Sequence, residues 1–365
     1  MSDRHVARVP MNRLVGMSMV AVLSASLITA CSKEPEPAPT TPSTTPAATA
    51  SATPTPTPEP EPEPVVWPLT GKESDSVKNR PAVAVKVENT AAARPQSGLE
   101  DADVVWETIV EFEVSRFIAV YHSKYPKEIG PIRSVRPMDV RVVSPLGGAF
   151  IYSGGQTGIL KLVAKDKNIE AFDENSAASA LWRSRYRAAP HNLYGDVSGF
   201  AKLVSKKNAD SPEEQFTFAD KLSNATAVED GKKASTVSLR MSTSSSPKWT
   251  WDSKTKKWLR SEGTFKAVAA SGKRLSATNV VVVRARHFDS GFDAQNRAPV
   301  PDYDLTGTGT GVVATGGKTL EVKWTKKDNS SPLTLHDEDG NPVDLAPGNT
   351  WVELLPKKTG KITID

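Results

Sequence analysis

The chain holds one cysteine, Cys31, in 365 residues. That excludes a disulfide-stapled scaffold and any cysteine-built metal site. Long apolar runs are missing too. The longest charge-free apolar stretch, residues 14–28, is 15 residues long, whereas a spanning helix needs about 20, so a multi-span membrane protein is excluded. Histidine is scarce, with five in all. The four beyond the first residues, His122, His191, His287 and His336, show no zinc-ligand spacing, so no metal site and no cofactor are expected. A serine nucleophile elbow, a phosphate-cradling P-loop and a dinucleotide fingerprint are also absent. Gly307-Thr308-Gly309-Thr310-Gly311 is glycine-rich, but it leads into a strand pattern rather than a helix.

What is present begins with a targeting segment. Arg4, Arg8 and Arg13 precede the apolar run, which closes on Ile28-Thr29-Ala30-Cys31. The run suits a signal peptide of residues 1–30 better than a membrane anchor. The lone cysteine follows the small residues directly, which resembles a bacterial lipoprotein signal. That resemblance implies a diacylated, palmitate-type Cys31 as the first mature residue. Two acyl chains hold a protein stably at a membrane, each buried methylene adding about 0.8 kcal/mol. The expected location is therefore the extracytoplasmic face of a cell membrane.

Ser32 to Val66 contains 11 of the 28 prolines. Such a stretch favours extended polyproline II and reads, with Cys31, as a tether over 31–66. The leader carries +2 and the tether −4, which leaves +6 for residues 67–365 of the chain's +4. A mild basic excess suits an anionic wall polymer or lipid surface, though a solvated lysine surface explains it equally well; the partner expected is an anionic wall polymer or an envelope protein, and not nucleic acid.

The remainder reads as an α+β protein: a mixed α/β domain over 67–225, then a mostly antiparallel β domain over 226–365. Alternation predicts strands at Pro81–Glu88, Asp103–Phe112 and Ser115–His122, the last two forming a hairpin. Helices are expected near Pro137–Val143, over Thr157–Lys165 and over Val197–Lys207. The texture changes within 209–232. Beyond it come a hairpin of Lys248–Trp251 with Lys257–Arg260, a strand at Asn279–Arg286, and further strands between glycine turns.

Many ordered motifs carry a family resemblance. They include Pro68-Leu69-Thr70-Gly71, Arg94-Pro95-Gln96-Ser97-Gly98-Leu99, Ser115-Arg116-Phe117, Gly130-Pro131-Ile132-Arg133-Ser134-Val135-Arg136-Pro137 and Ala189-Pro190-His191-Asn192-Leu193-Tyr194. In the second half, Gly316-Gly317-Lys318, Val322-Lys323-Trp324 and Leu345-Ala346-Pro347-Gly348-Asn349-Thr350-Trp351 continue the series. Together they resemble the YerB-like lipoproteins with their DUF3048 domain pair, over nearly all of 68–356. The resemblance implies a two-domain envelope lipoprotein and no particular activity. It departs at Phe112-Glu113, where relatives tend to have two glycines, and at Thr264–Ala270, which is almost uncharged here.

Three constellations could carry chemistry. Arg94, Arg116, Arg133, Arg136, Arg141, Arg183, Arg185 and Arg187 crowd the first domain, and guanidinium forks held by rigid turns bind carboxylate or phosphate. Arg133 and Arg136 share a side if their segment coils, and diverge if it is extended. The competing reading pairs these arginines with Asp103, Glu107 and Glu111. Second, His191 in a proline-stiffened loop beside Asn192 and Tyr194 is the candidate acid/base. Third, on one strand Glu107, Glu111 and Glu113 would share a face, where paired carboxylates can bind a metal or divide acid and base roles; salt bridges to Arg116 across the hairpin are the favoured reading. The expected function is a non-catalytic lipoprotein that binds an anionic envelope component through Arg94, Arg133, Arg136, His191, Asn192, Tyr194, Glu107 and Glu111. The alternative is a cell-wall hydrolase or transferase with catalytic His191.

Overall fold

Four consecutive valines, Val280–Val283, lie at the heart of the largest sheet. β-Branched side chains suit a pleated surface, and a run apolar on both faces suits a strand covered on both sides. Val280 is flanked by Ala314 on one neighbouring strand and Trp351 on the other. The computed structural model describes residues 64–365; the expected signal segment, Cys31 and the expected tether as far as Glu63 lie outside the described residues. Those described are mostly strand, with few and short helices.

The large sheet has twelve strands. Its main path runs Thr334–His336, Lys318–Lys326, Gly307–Thr315, Asn279–Asp293, Thr350–Pro356, Val104–Ile109, Ser115–Tyr121, Val83–Glu88, Ala149–Ile151, Glu170–Phe172. Both halves of the sequence contribute. They meet where Thr350–Glu353 pairs in parallel with Val104–Glu107. The sheet is mixed: Thr350–Pro356 is also parallel to Asn279–Asp293, while the Val104–Ile109 and Ser115–Tyr121 strands are antiparallel. The second half is thus mostly, but not wholly, antiparallel. A six-stranded antiparallel sheet is built on the expected hairpin of Pro247–Asp252 and Lys257–Glu262, with Lys361–Ile364 at its edge. The two sheets pack through aromatics. Trp351 sits edge-on to Trp249 at 5.2 Å and to Phe117 at 5.3 Å.

The Thr157–Lys165 helix has the bounds its pattern predicts, and the Gln156 side chain accepts from Gly158 N and Ile159 N at its start. The expected Val197–Lys207 helix is shorter, Val197–Ala201. It stops because Ser205 N donates to the Glu170 carboxylate at 3.1 Å, which holds the chain outside a helical path. The helix near Pro137 begins at Asp139. Val66 bridges Glu73, and Ser74 N donates to Val65 O at 2.9 Å.

The acidic strand does not form as expected. The strand ends at Ile109, and a tight turn takes over Glu111–Glu113, with Phe112 at φ 61° and Glu113 at φ 57°. Glu107, Glu111 and Glu113 therefore part company. Glu107 bonds Arg260 at 2.6 Å, Glu111 bonds Arg136 at 2.6 Å, and Glu113 accepts from Thr243 N at 2.9 Å. Arg116 pairs with none of them; its Nη1 donates to Ser134 O at 2.8 Å.

Candidate functional site

Beside the C-terminal end of the Val83–Glu88 strand lies a cleft of about 750 Å³. Its walls come from segments far apart in sequence. Pro131–Arg133 runs along the strand end: Glu88 N donates to Pro131 O at 2.9 Å and Arg133 N to Lys86 O at 2.8 Å. On its other side, Ser153 N donates to Arg133 O and Val135 N to Gly154 O, each at 3.0 Å. Arg133-Ser134-Val135 is therefore extended. Coiling starts only at Arg136, whose N donates to Asp139 Oδ2 at 2.8 Å. Both guanidinium groups nevertheless line the cleft, because the chain turns between them.

Arg116 joins them from the adjoining strand, in register with Glu88. The three arginines share the lining with three carboxylates, Glu88, Glu111 and, on the far wall, Asp293. Arg133 Nε lies 3.3 Å from Glu88 Oε2, and Arg136 Nε lies 2.6 Å from Glu111 Oε2. Arg136 also donates to its neighbour's carbonyl, Val135 O, at 2.7 Å. Beneath them Lys86, fully buried, bonds Asp139 at 2.7 Å and Thr108 at 3.2 Å. Four cations thus lie among four carboxylates, Glu88, Glu111, Asp139 and Asp293, and Asp293 forms no ion pair with the arginines. Arg116 has no carboxylate partner among the described residues, and burial together with neighbouring Arg136 pushes its pKa down to about 9. It is still charged at neutral pH. Arg136 binding holds the Glu111 carboxyl below its usual range despite burial.

The far wall comes from the second half. The Asn279–Asp293 strand outruns the expected Arg286 end, and its pairing with Pro299–Asp304 carries Asp293–Asn296 to the cleft. The Ser153–Thr157 loop, which contains Gly154-Gly155, closes another side.

The remaining expected site residues fall elsewhere. His191 stands behind Glu88, its Nδ1 2.9 Å from both carboxylate oxygens, and it is not among the residues lining the cleft. Glu88 also accepts from Thr90 Oγ1 at 2.6 Å. Asn192 is a strut: its Oδ1 accepts from Arg183 and its Nδ2 donates to Ser184 O. Tyr194 is buried against Gly130, where a Cβ would come within 2.7 Å of the ring. Arg94 and Glu107 belong to a separate buried network. Arg94 donates to Asn89 and lies 3.6 Å from Glu262, and Glu107 accepts from Asn89, Ser115 and Arg260. The structure therefore unites Arg133, Arg136 and Glu111, and adds Glu88 and Phe112 to them. Sequence reasoning had grouped Arg116 among the arginines but not within the site. Among the described residues, no three His, Cys, Asp or Glu side chains converge as a metal site.

Comparison with known proteins agrees with this architecture. Residues 69–210 match a family described as the N-terminal domain of a protein of unknown function, DUF3048, and residues 237–352 match its C-terminal domain. A Bacillus subtilis (strain 168) protein named as the lipoprotein YerB is 28% identical over 291 residues, covering 79% of this chain and 86% of that one. The crystal structure of YerB protein from Bacillus subtilis matches with a TM-score of 0.69 at 25% identity, over 82% of this chain and 99% of that chain. With both family domains matched in order and the same fold in a solved relative, the chain belongs to the DUF3048 family of YerB-like proteins.

Proposed function

We propose that this protein is a membrane-anchored lipoprotein that binds an anionic group of a cell-envelope component in the Arg116–Arg133–Arg136 cleft. The anchor would be lipidated Cys31, on the extracytoplasmic face, with the proline-rich tether as spacer. The likeness to a protein named as a lipoprotein supports the anchor. One observation carries the binding reading: Arg116 is a charged guanidinium in a cleft wall with no carboxylate partner among the described residues. Arg116 is buried beside two other arginines without a direct carboxylate partner, and a phosphate or carboxylate ligand would supply one.

The test is calorimetric titration of the full chain, in detergent micelles, with inorganic phosphate and with anionic wall polymer. Wild type should bind both, and affinity should fall as salt rises, since exposed charges are screened over about 10 Å at 0.1 M. Arg133→Ala should weaken both by tenfold or more. Unchanged binding in that variant would refute the reading. In parallel, Cys31→Ala should leave the membrane fraction; retention there would refute the anchor.

The Glu88–His191 contact favours a second reading. A buried carboxylate on Nδ1 leaves Nε2 as the base, the arrangement of a general acid/base. In that case His191→Ala abolishes turnover of a wall substrate while phosphate affinity stays unchanged.

A further inference from the structure

Phe112 is 64% exposed and lines the same cleft as the three arginines. A single exposed aromatic carries little meaning by itself. Its backbone sets this one apart. Phe112 and Glu113 stand consecutively at φ 61° and 57°, a region bulky side chains rarely adopt. The turn is held from the other half of the chain: Ser242 Oγ donates to Glu113 O at 2.5 Å, and Thr243 N and Oγ1 both donate to the Glu113 carboxylate. Those bonds use Glu113 and the backbone. None of them requires a phenyl ring at 112, where glycine would be unstrained. The fold therefore holds an exposed aromatic face in the wall of an arginine-lined cleft.

The other lining groups narrow the ligand further. Ser134, Ser153, Gln156, Thr157, Gln295 and Asn296 surround the arginines with hydroxyls and amides. That inventory of donors and acceptors matches a ligand bearing several hydroxyl groups. Phe112 is the one aromatic in the lining, whereas a nucleobase is usually gripped between two flat or apolar side chains.

We propose that the cleft recognises an anionic saccharide unit, a hydroxylated sugar ring bearing phosphate or carboxylate. The arginines take the charge and Phe112 stacks against the ring. This rests on the anion-binding reading of the same cleft and adds the identity of the ligand class.

The experiment titrates the full chain in detergent micelles with glucose 1-phosphate, galacturonate, inorganic phosphate, glucose and AMP. Wild type should bind at least one charged sugar tenfold or more tighter than phosphate, and the tighter of the two identifies the anion. Phe112→Gly should bring the charged sugar to within about twofold of phosphate and leave phosphate affinity unchanged. Because glycine accepts the φ at this position, its Tm should equal or exceed that of wild type, so a lost affinity is not a lost fold. Phe112→Trp should keep the preference. Phosphate binding without any gain from the sugar, a Phe112→Gly variant that binds the sugar as wild type does, or a preference for AMP would each overturn the saccharide proposal alone. Failure to bind phosphate or either charged sugar would overturn the anion-binding reading itself.

Discussion

Glu107 and Glu353 stand directly opposite one another on parallel neighbouring strands, both fully buried. Arg260 reaches Glu107 at 2.6 Å, while Glu353 Oε1 accepts from Trp249 Nε1 at 2.9 Å. Glu353 Oε2 meets no donor. Burial, and then the Glu107 charge, raise the Glu353 pKa well above its ordinary 4.5. Protonation removes the charge that Oε2 would otherwise carry without a partner. The two carboxyls thus carry one negative charge between them, balanced by the Arg260 guanidinium, with Glu262 as a second partner of Arg260 at 2.9 Å.

That state predicts a pH dependence. Above pH 4.5 the unfolded chain ionises Glu353 while the folded one keeps its proton. Unfolding then releases a proton, so this group makes stability fall as pH rises from 4.5 toward the raised value. Glu353→Gln should remove that slope at little cost near pH 5, since the amide is neutral and of the same shape. Glu107→Gln instead deprives buried Arg260 of a counterion and should cost about 3–5 kcal/mol. Urea melts across pH check both. A flat wild-type profile would refute the protonated Glu353.

Lys86 and Asp139 form a second buried pair, 2.7 Å apart with neither side chain exposed. Asp139→Asn should cost about 3–5 kcal/mol by stranding the ammonium, and adding Lys86→Met should recover part of that loss. Burial pulls the Lys86 pKa from 10.5 down to about 8. Between those values the unfolded chain holds the extra proton, so this group makes stability rise with pH across the window. Lys86→Met should make that rise shallower in alkaline urea melts without abolishing it, since Lys257 and Lys326 are also lowered to about 8 by burial.

Glu88 opposes the proposed ligand. Its carboxylate lies 3.3 Å from Arg133 Nε and competes with any incoming anion. Glu88→Gln should tighten phosphate binding by about 1 kcal/mol, roughly fivefold, with a steeper loss on adding salt. Weaker binding in this variant would mean that Glu88 positions Arg133 more than it neutralises it.

The shared sheet predicts how fragments behave. In residues 226–365 alone, Thr350–Pro356 loses its Val104–Ile109 neighbour and Arg260 loses Glu107. An open strand edge and an unbalanced buried charge should leave this fragment without a cooperative thermal melt. Mixing it with residues 64–225 should restore one. A sharp melt of the fragment alone would show that the halves fold independently.

Much of the strand pattern was legible because apolar alternation and valine runs report local burial, as at Val83, Val85 and Val87 or Val280–Val283. The Thr157–Lys165 helix was legible for the same reason. Glu111 and Glu113 were misplaced because alternation could not reveal that the chain abandons its strand at Val110. That choice depends on Ser242 and Thr243, roughly 130 residues away. Likewise the candidate site was half visible. Arg133 and Arg136 are conspicuous between turn residues, but Glu88 looks like the polar end of a strand until Arg133 and His191 are seen on it.

By itself the sequence determined the strand-rich character and the family, because the first is written in local composition and the second in ordered motifs. Tertiary structure alone decided that two sequence halves share one sheet, that Arg94 and Glu107 sit in a buried network apart from Arg133, and that Asp293–Asn296 completes the cleft. The physical reason is the same in each case. Strand partners and buried counterions are selected by long-range register and desolvation, and neither leaves a mark on the residues adjacent in the chain.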